Sequence, residues 1–164
     1  MRDFLLQRFD GIRYFEKARY GTQKVLSSLL AVALRSEVAV SKVSKYILIA
    51  DDSGAIRSAT RQSLESRPGF KVCGEAVDGL DAVEKARRLR PDLIILDLAM
   101  PRMNGLQAAR ELRAMTVRVP IILFTLYADV VGPQVAVAAG ISAVVCKTDL
   151  PALQRNVESL LVPT

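Results

Sequence analysis

Three carboxylates, a hydroxyl and a lysine stand at equivalent places in this chain. Asp51 and Asp52 follow Ile47-Leu48-Ile49-Ala50, Asp97 follows Leu93-Ile94-Ile95-Leu96, Thr125 follows Ile121-Ile122-Leu123-Phe124, and Lys147 follows Ala143-Val144-Val145-Cys146. Brought together, such groups suit a hard divalent cation. Mg2+ takes oxygen ligands in near-octahedral geometry, usually one or two carboxylates with waters and a phosphate. Without a cation the carboxylates would repel one another. A cation there neutralises charge on a transferring phosphoryl group while a lysine and a hydroxyl hold its equatorial oxygens, so positioning and electrostatics supply the catalysis. An aspartate can serve as the nucleophile, giving an aspartyl-phosphate. The chain has no histidine, which excludes His-based acid/base catalysis, most zinc sites and an internal phosphohistidine. A phosphoryl donor must be a separate molecule.

These residues meet only if the apolar runs are neighbouring strands, and the intervening segments read as the helices needed to connect them. Ile56, Ala59, Thr60, Ser63 and Leu64 give one helix face, which Pro68-Gly69 ends. A strand is predicted from about Phe70 to Ala76, a turn at Asp78-Gly79, and a helix from Asp81 to Arg90 with Ala82, Val83, Ala86 and Leu89 inward, stopped by Pro91. Met100 to Gly105 is loop and turn chemistry, and Leu106 to Met115 a third helix. A weaker helix interrupted by Gly132-Pro133 covers Val130 to Ala139, and a last one covers Leu150 to Leu161. Five strands alternating with five helices predict an α/β fold, a doubly wound five-stranded parallel sheet with helices on both faces. Ligands bind such sheets beyond the carboxyl ends of the strands, at the topological switch point. Taken singly, the polar residues have plain explanations: an acidic doublet caps a helix, a lysine is a surface charge, and Asn104-Gly105 is a turn. Their joint placement at strand ends is what points to a site.

Hydrophobic residues make up 51% and charged residues 24% of the 164, which fits a globular chain with a real core and excludes a disordered one. Aromatics are only 5%, so the core must be built from Val, Ile, Leu and Ala, as in strands buried on both faces. The net charge of +6 is uneven: residues 1–44 hold eight basic and four acidic residues, against fifteen and thirteen in residues 45–164. No aromatic-interleaved basic patch accompanies the surplus, so a solvated basic segment is expected and no direct nucleic-acid partner. Cys73 and Cys146 have neither C-x-x-C nor metal-ligand spacing and sit in apolar runs, as packed free thiols do in a reducing cytoplasm. No apolar run approaches the roughly 18 residues of a membrane span. The nearest, Val25 to Leu34, follows a long segment containing Asp3, Asp10 and Glu16, unlike a secretory signal.

The segments Ile47 to Ser53, Leu93 to Gly105 (L-I-I-L-D-L-A-M-P-R-M-N-G), Ile122 to Thr125 and Val145-Cys146-Lys147 resemble the response-regulator receiver domains of two-component signalling. The resemblance covers nearly three quarters of the chain, and Glu75 to Arg113 looks most like receivers joined to helix-turn-helix DNA-binding domains. It implies the strand order 2-1-3-4-5, which is also a general property of this fold group. It also implies Asp97 as phospho-acceptor, with Asp52 binding Mg2+ directly, Asp51 through water, and the backbone carbonyl of Ala99 as a further ligand; Mn2+ is an alternative ion. Thr125 would contact the phosphoryl group and Lys147 form a salt bridge to it. The implied partners are a sensor histidine kinase or histidine phosphotransfer protein and a downstream protein target, with a homodimer through the fourth helix, fifth strand and fifth helix as an alternative contact. Two positions depart from the family pattern. Val144 replaces a frequent aromatic, so aromatic rotation is not the readout, and Thr148 replaces a frequent cis proline.

A receiver over residues 45–162 is therefore expected, cytoplasmic, not an enzyme beyond its own aspartyl phosphorylation and dephosphorylation, and without an output domain because the chain stops at Thr164 after the last helix. The alternatives are a truncated receiver of a DNA-binding transcriptional regulator and, ranked last because no glycine-rich phosphate loop is present, a flavodoxin-like binding module or hydrolase. Residues 1–44 match no motif. They are expected to be a partly helical or disordered extension, with a dimerisation helix or a peripheral membrane anchor as alternatives.

Overall fold

The computed structural model describes residues 44–115 and 119–161; the expected extension, save Ser44, lies outside them. The apolar runs form strands β1 (Lys45–Ala50), β2 (Phe70–Ala76), β3 (Leu93–Leu96), β4 (Ile121–Thr125) and β5 (Ala143–Cys146). Between and after them lie helices α1 (Gly54–Glu65), α2 (Gly79–Leu89), α3 (Gly105–Ala114), α4 (Pro133–Ala139) and α5 (Leu150–Leu161). The strands make one parallel sheet in the order β2-β1-β3-β4-β5. All four residues of β3 are buried, because helices cover both faces and the strand has no wet side.

Alternation along each strand divides the core. Ile47, Ile49, Ile95, Ile122 and Phe124 pack with Leu64 of α1 and Leu153, Val157 and Leu161 of α5. On the other face Leu48, Ala50, Ile94, Leu96 and Leu123 meet α2, α3 and α4, whose inward positions are mostly alanines: Ala82, Ala86, Ala108, Ala109, Ala136 and Ala139. Small side chains there let three helices sit close to the sheet.

Three local expectations shift. α2 begins at Gly79, ahead of Asp81, because the Asp78 side chain caps it by accepting the Asp81 N–H at 3.0 Å. The fourth helical segment is split: Ala128–Val130 is a single 3-10 turn, and α4 starts at Pro133. A proline lacks the N–H to continue a helix but suits its first turn. Ala59, expected inward, is exposed, while Thr60 and Leu64 carry the buried stripe of α1. One irregularity was not expected, although a glycine inside a strand, here Gly74, is a bulge signal. The β1–β2 register shifts between Ile47 and Leu48, whose partners are Val72 and Gly74, and the intervening Cys73 directs its thiol to the Ile47 carbonyl at 3.4 Å.

The order of strands reverses about β1, so the loops after β1 and β3 lie side by side at the switch point. Gly105 closes the second of these. Its N–H donates to the Leu98 carbonyl at 3.0 Å, and a Cβ on it would fall 2.1 Å from the Asp97 carbonyl oxygen. The two nearest atoms are both Asp97 backbone, which cannot swing aside as a side-chain end could. Gly105→Ala is expected to lower the unfolding free energy by about 1–3 kcal/mol in urea titrations. Gly132→Ala, whose Cβ would meet nothing nearer than 3.8 Å, is the neutral control.

Candidate functional site

Asp51 follows β1 directly and is only 2% exposed. Its N–H donates to the Ala76 carbonyl at 3.1 Å, and its Oδ1 accepts the Ser53 N–H at 2.9 Å. Ser53 in turn caps α1 through Oγ. Asp52 is exposed. Asp97 follows β3, is 4% exposed, and donates its N–H to the Ala50 carbonyl at 2.8 Å. These backbone bonds hold the two strand ends in register, and one oxygen from each of Asp51, Asp52 and Asp97 lies within 4.8 Å of the others.

From the end of β5, Lys147 reaches across with Nζ 2.6 Å from Asp51 Oδ2 and 3.0 Å from Asp97 Oδ2. Burial alone would depress this ammonium, but the hydrogen bonds and charges of Asp51 and Asp97 outweigh burial and hold it above the ordinary lysine value. One ammonium against three carboxylates leaves two negative charges in excess. Clustered hard oxygen donors with surplus negative charge fit Mg2+ well.

Two further ion-paired assemblies support the site. The Arg57 guanidinium donates to the carbonyls of Asp51 at 2.7 Å and Asp52 at 3.3 Å, and to Glu75 Oε2 at 3.1 Å. Arg61 joins the same carboxylate at 2.7 Å. The hydrogen bond from Arg61, helped by Arg57 and opposed by partial burial, holds Glu75 below the ordinary carboxylate range. The second assembly is Asp78, 2% exposed, whose Oδ2 accepts from Arg102 Nε at 2.7 Å and also from its Nη2. Burial works to raise Asp78, but the Asp81 N–H and Arg102 prevail and hold it low. None of these five residues was given a site role from sequence. The available signals were the i, i+4 spacing of Arg57 and Arg61 and an arginine inside the loop expected over Met100 to Gly105.

The depressed Asp78 value fixes a pH dependence. A group lowered on folding stabilises above its unfolded value and loses that contribution as pH falls through the folded one. Asp78→Asn keeps a capping side chain but not the ion pair. Its deficit relative to the native chain is expected to be present at about pH 7 and to shrink by about pH 3, read from urea midpoints.

Thr125, fully buried at the end of β4, is turned to its own loop: Oγ1 accepts the Tyr127 N–H at 3.2 Å. Its carbonyl accepts the Lys147 N–H at 3.1 Å, joining β4 to β5. Ala99 is exposed in the loop after β3, and Val144 is half-buried. Thr148 lies with Oγ1 3.1 Å from Cys146 Sγ, and hydrogen bonding to Thr148 lowers that thiol. No peptide bond among the described residues is cis. The structure thus brings Asp51, Asp52, Asp97 and Lys147 together, whereas the Thr125 hydroxyl bonds within the next loop. A cavity of about 570 Å³ opens at the other end of the sheet, lined by Pro91, Ile94, Pro120, Ile121 and Ser142 among others and by no carboxylate. No helix among the described residues is long and apolar enough to cross a membrane.

Comparison with known proteins agrees with this geometry. The response regulator receiver domain matches residues 47–158. A protein-glutamate methylesterase/protein-glutamine glutaminase of Paramagnetospirillum magneticum is 38% identical over 115 residues, 70% of this chain and 32% of the relative. This chain spans between a fifth and a third of the length of the curated relatives it matches. Among solved structures, a LuxR-family two-component response regulator from Aurantimonas sp. superposes with a TM-score of 0.67 at 30% identity, covering 72% of this chain and 85% of that one. The response regulator TrrA from Thermotoga maritima, solved in complex with Mg2+ and a beryllium fluoride, superposes at 0.65 and 30% identity, covering 71% and 99%. With the parallel sheet in the order 2-1-3-4-5 and an acidic cluster at its switch point, the chain belongs to the response regulator receiver domain family.

Proposed function

We propose that residues 45–162 work as a phospho-accepting switch in the cytoplasm, in which Asp97 takes a phosphoryl group from a histidine kinase or histidine phosphotransfer protein. The observation that carries this reading is the Asp97 carboxylate at the end of the central strand, gripped by Lys147 and within 4.8 Å of two further carboxylates. A Mg2+ or Mn2+ ion held by Asp51, Asp52, Asp97 and the Ala99 carbonyl supplies charge neutralisation when bound. Lys147 on Oδ2 restrains rotation of the Asp97 carboxylate. A carboxylate oxygen attacks phosphorus, the O–P bond forms, and the donor's P–N bond breaks with its electron pair passing to the nitrogen. Lys147 stays protonated throughout because its value is raised, so an ammonium faces the charge added at Asp97.

Thr125 is the sensor in this reading. When its hydroxyl donates to a phosphoryl oxygen, the loop whose Tyr127 N–H it now accepts is drawn along. That loop carries the exposed Leu126, Tyr127 and Val130, and movement there changes the surface presented to a downstream protein, or to a second copy through α4, β5 and α5. A second reading, favoured by the similarity to the LuxR-family regulator, makes this the receiver of a DNA-binding regulator; an open reading frame continuing past Thr164 would decide for it.

The test is intact mass spectrometry after incubation with acetyl phosphate. A gain of one phosphoryl group is expected with Mg2+ and none with EDTA. No adduct on folded protein that also fails to bind beryllofluoride would overturn the proposal.

A further inference from the structure

The loop from Asp97 to Asn104 is tied to the start of α2 at two points. The Asp78 carboxylate accepts Arg102 Nε at 2.7 Å together with Nη2, and the Gly79 N–H donates to the Met103 carbonyl at 3.1 Å. The approach is close: a Cβ on Gly79 would meet that carbonyl oxygen at 2.4 Å. Arg102 holds φ at 59°, the left-handed region that glycine adopts freely and side-chain-bearing residues do not. An arginine there spends backbone strain, and its side chain is 58% exposed, so it fills no core. What it gains is a two-nitrogen grip on a carboxylate that is itself 3% exposed and fixed by capping α2. Ala99 lies between Asp97 and this tie.

We propose that Asp78 and Arg102 are positioning residues of the metal site: their ion pair, buried on the Asp78 side, sets the course of the loop after β3, and so the placement of the Ala99 backbone for the ion. The inference rests on the reading that Asp51, Asp52, Asp97 and the Ala99 carbonyl hold a divalent cation. Neither residue touches the ion. Both act through the loop, as groups that orient ligands do.

Two variants separate positioning from charge and from simple stability. Arg102→Gly removes a positive charge and relieves the backbone; Asp78→Asn removes a negative charge and keeps a capping side chain. Through charge alone, the first strengthens cation binding and the second weakens it. Through positioning, both weaken it. Calorimetric titration with Mg2+ is expected to show affinity about ten-fold weaker for each, with the thermal midpoint in EDTA showing that each variant is folded at the titration temperature. Native affinity in both variants, or shifts of opposite sign, would overturn the inference while leaving the metal site standing. Failure of the unsubstituted protein to bind Mg2+ would instead sink the proposed function and this inference with it.

Discussion

Asp97→Ala is expected to abolish the phosphoryl adduct formed with acetyl phosphate and Mg2+ while leaving a folded protein. Three carboxylates lie within reach of one another, and any of them is chemically competent as a nucleophile. Placement separates them. Asp52 is exposed, and Asp51 is committed twice, to the Ser53 N–H through Oδ1 and to Lys147 through Oδ2. Asp97, at the end of the fully buried β3, has its carboxylate oriented by Lys147 on one oxygen. The fold tolerates the loss because Lys147 keeps its 2.6 Å contact with Asp51, and removing one of three like charges lessens repulsion in the metal-free protein. The measurement is intact mass on the variant beside the native chain, with a urea melt to show folding. An adduct persisting in Asp97→Ala would move the acceptor to Asp51 or Asp52.

Lys147→Ala is expected to have the largest effect on stability. The lysine side chain is 8% exposed and stands between carboxylates that are 3% and 5% exposed. Removing it leaves two buried anions facing each other, and breaking a buried pair in this way costs about 3–5 kcal/mol. A cation at the site should replace part of what is lost, since a ligand that binds only the folded state stabilises by about 2.7 kcal/mol at a hundred times its dissociation constant. Mg2+ should therefore raise the urea midpoint of the variant. A deficit below about 1 kcal/mol in EDTA, the range of exposed pairs, would show that the carboxylates do not depend on the lysine. The sign with pH follows from the raised Lys147 value. A group raised on folding stabilises fully below its unfolded value and loses the contribution as pH rises through the folded one. Native protein and variant should differ across the neutral range and converge only above the ordinary lysine value of 10.5.

Much of the fold was legible because its signals are local. Leu93–Leu96 and Ala143–Cys146 are apolar runs ended by a charged residue, and both strands have the expected limits. The split before α4 was harder: the Gly132-Pro133 interruption was visible, but the 3-10 turn at Ala128–Val130 depends on how the chain leaves β4. The register shift at Cys73 had one local signal, Gly74 inside the strand, but the shift itself is fixed by pairing between strands more than twenty residues apart in sequence.

The acidic and basic residues at the strand ends were likewise readable as a set, because a parallel sheet delivers all its carboxyl ends to one edge. What the set does in the unphosphorylated protein was not. Lys147 bridges Asp51 and Asp97; Arg57 reaches the Asp51 and Asp52 carbonyls while bound to Glu75; and Asp78 and Arg102 pair across 24 residues. Element types, strand ends and the convergence of Asp51, Asp52, Asp97 and Lys147 were determined by the sequence alone, because hydrophobic periodicity and Pro/Gly punctuation act between near neighbours in the chain. Which charge neutralises which was decided only by the tertiary structure, because ion pairing depends on separation and burial in space, and both are set by packing that no local pattern records.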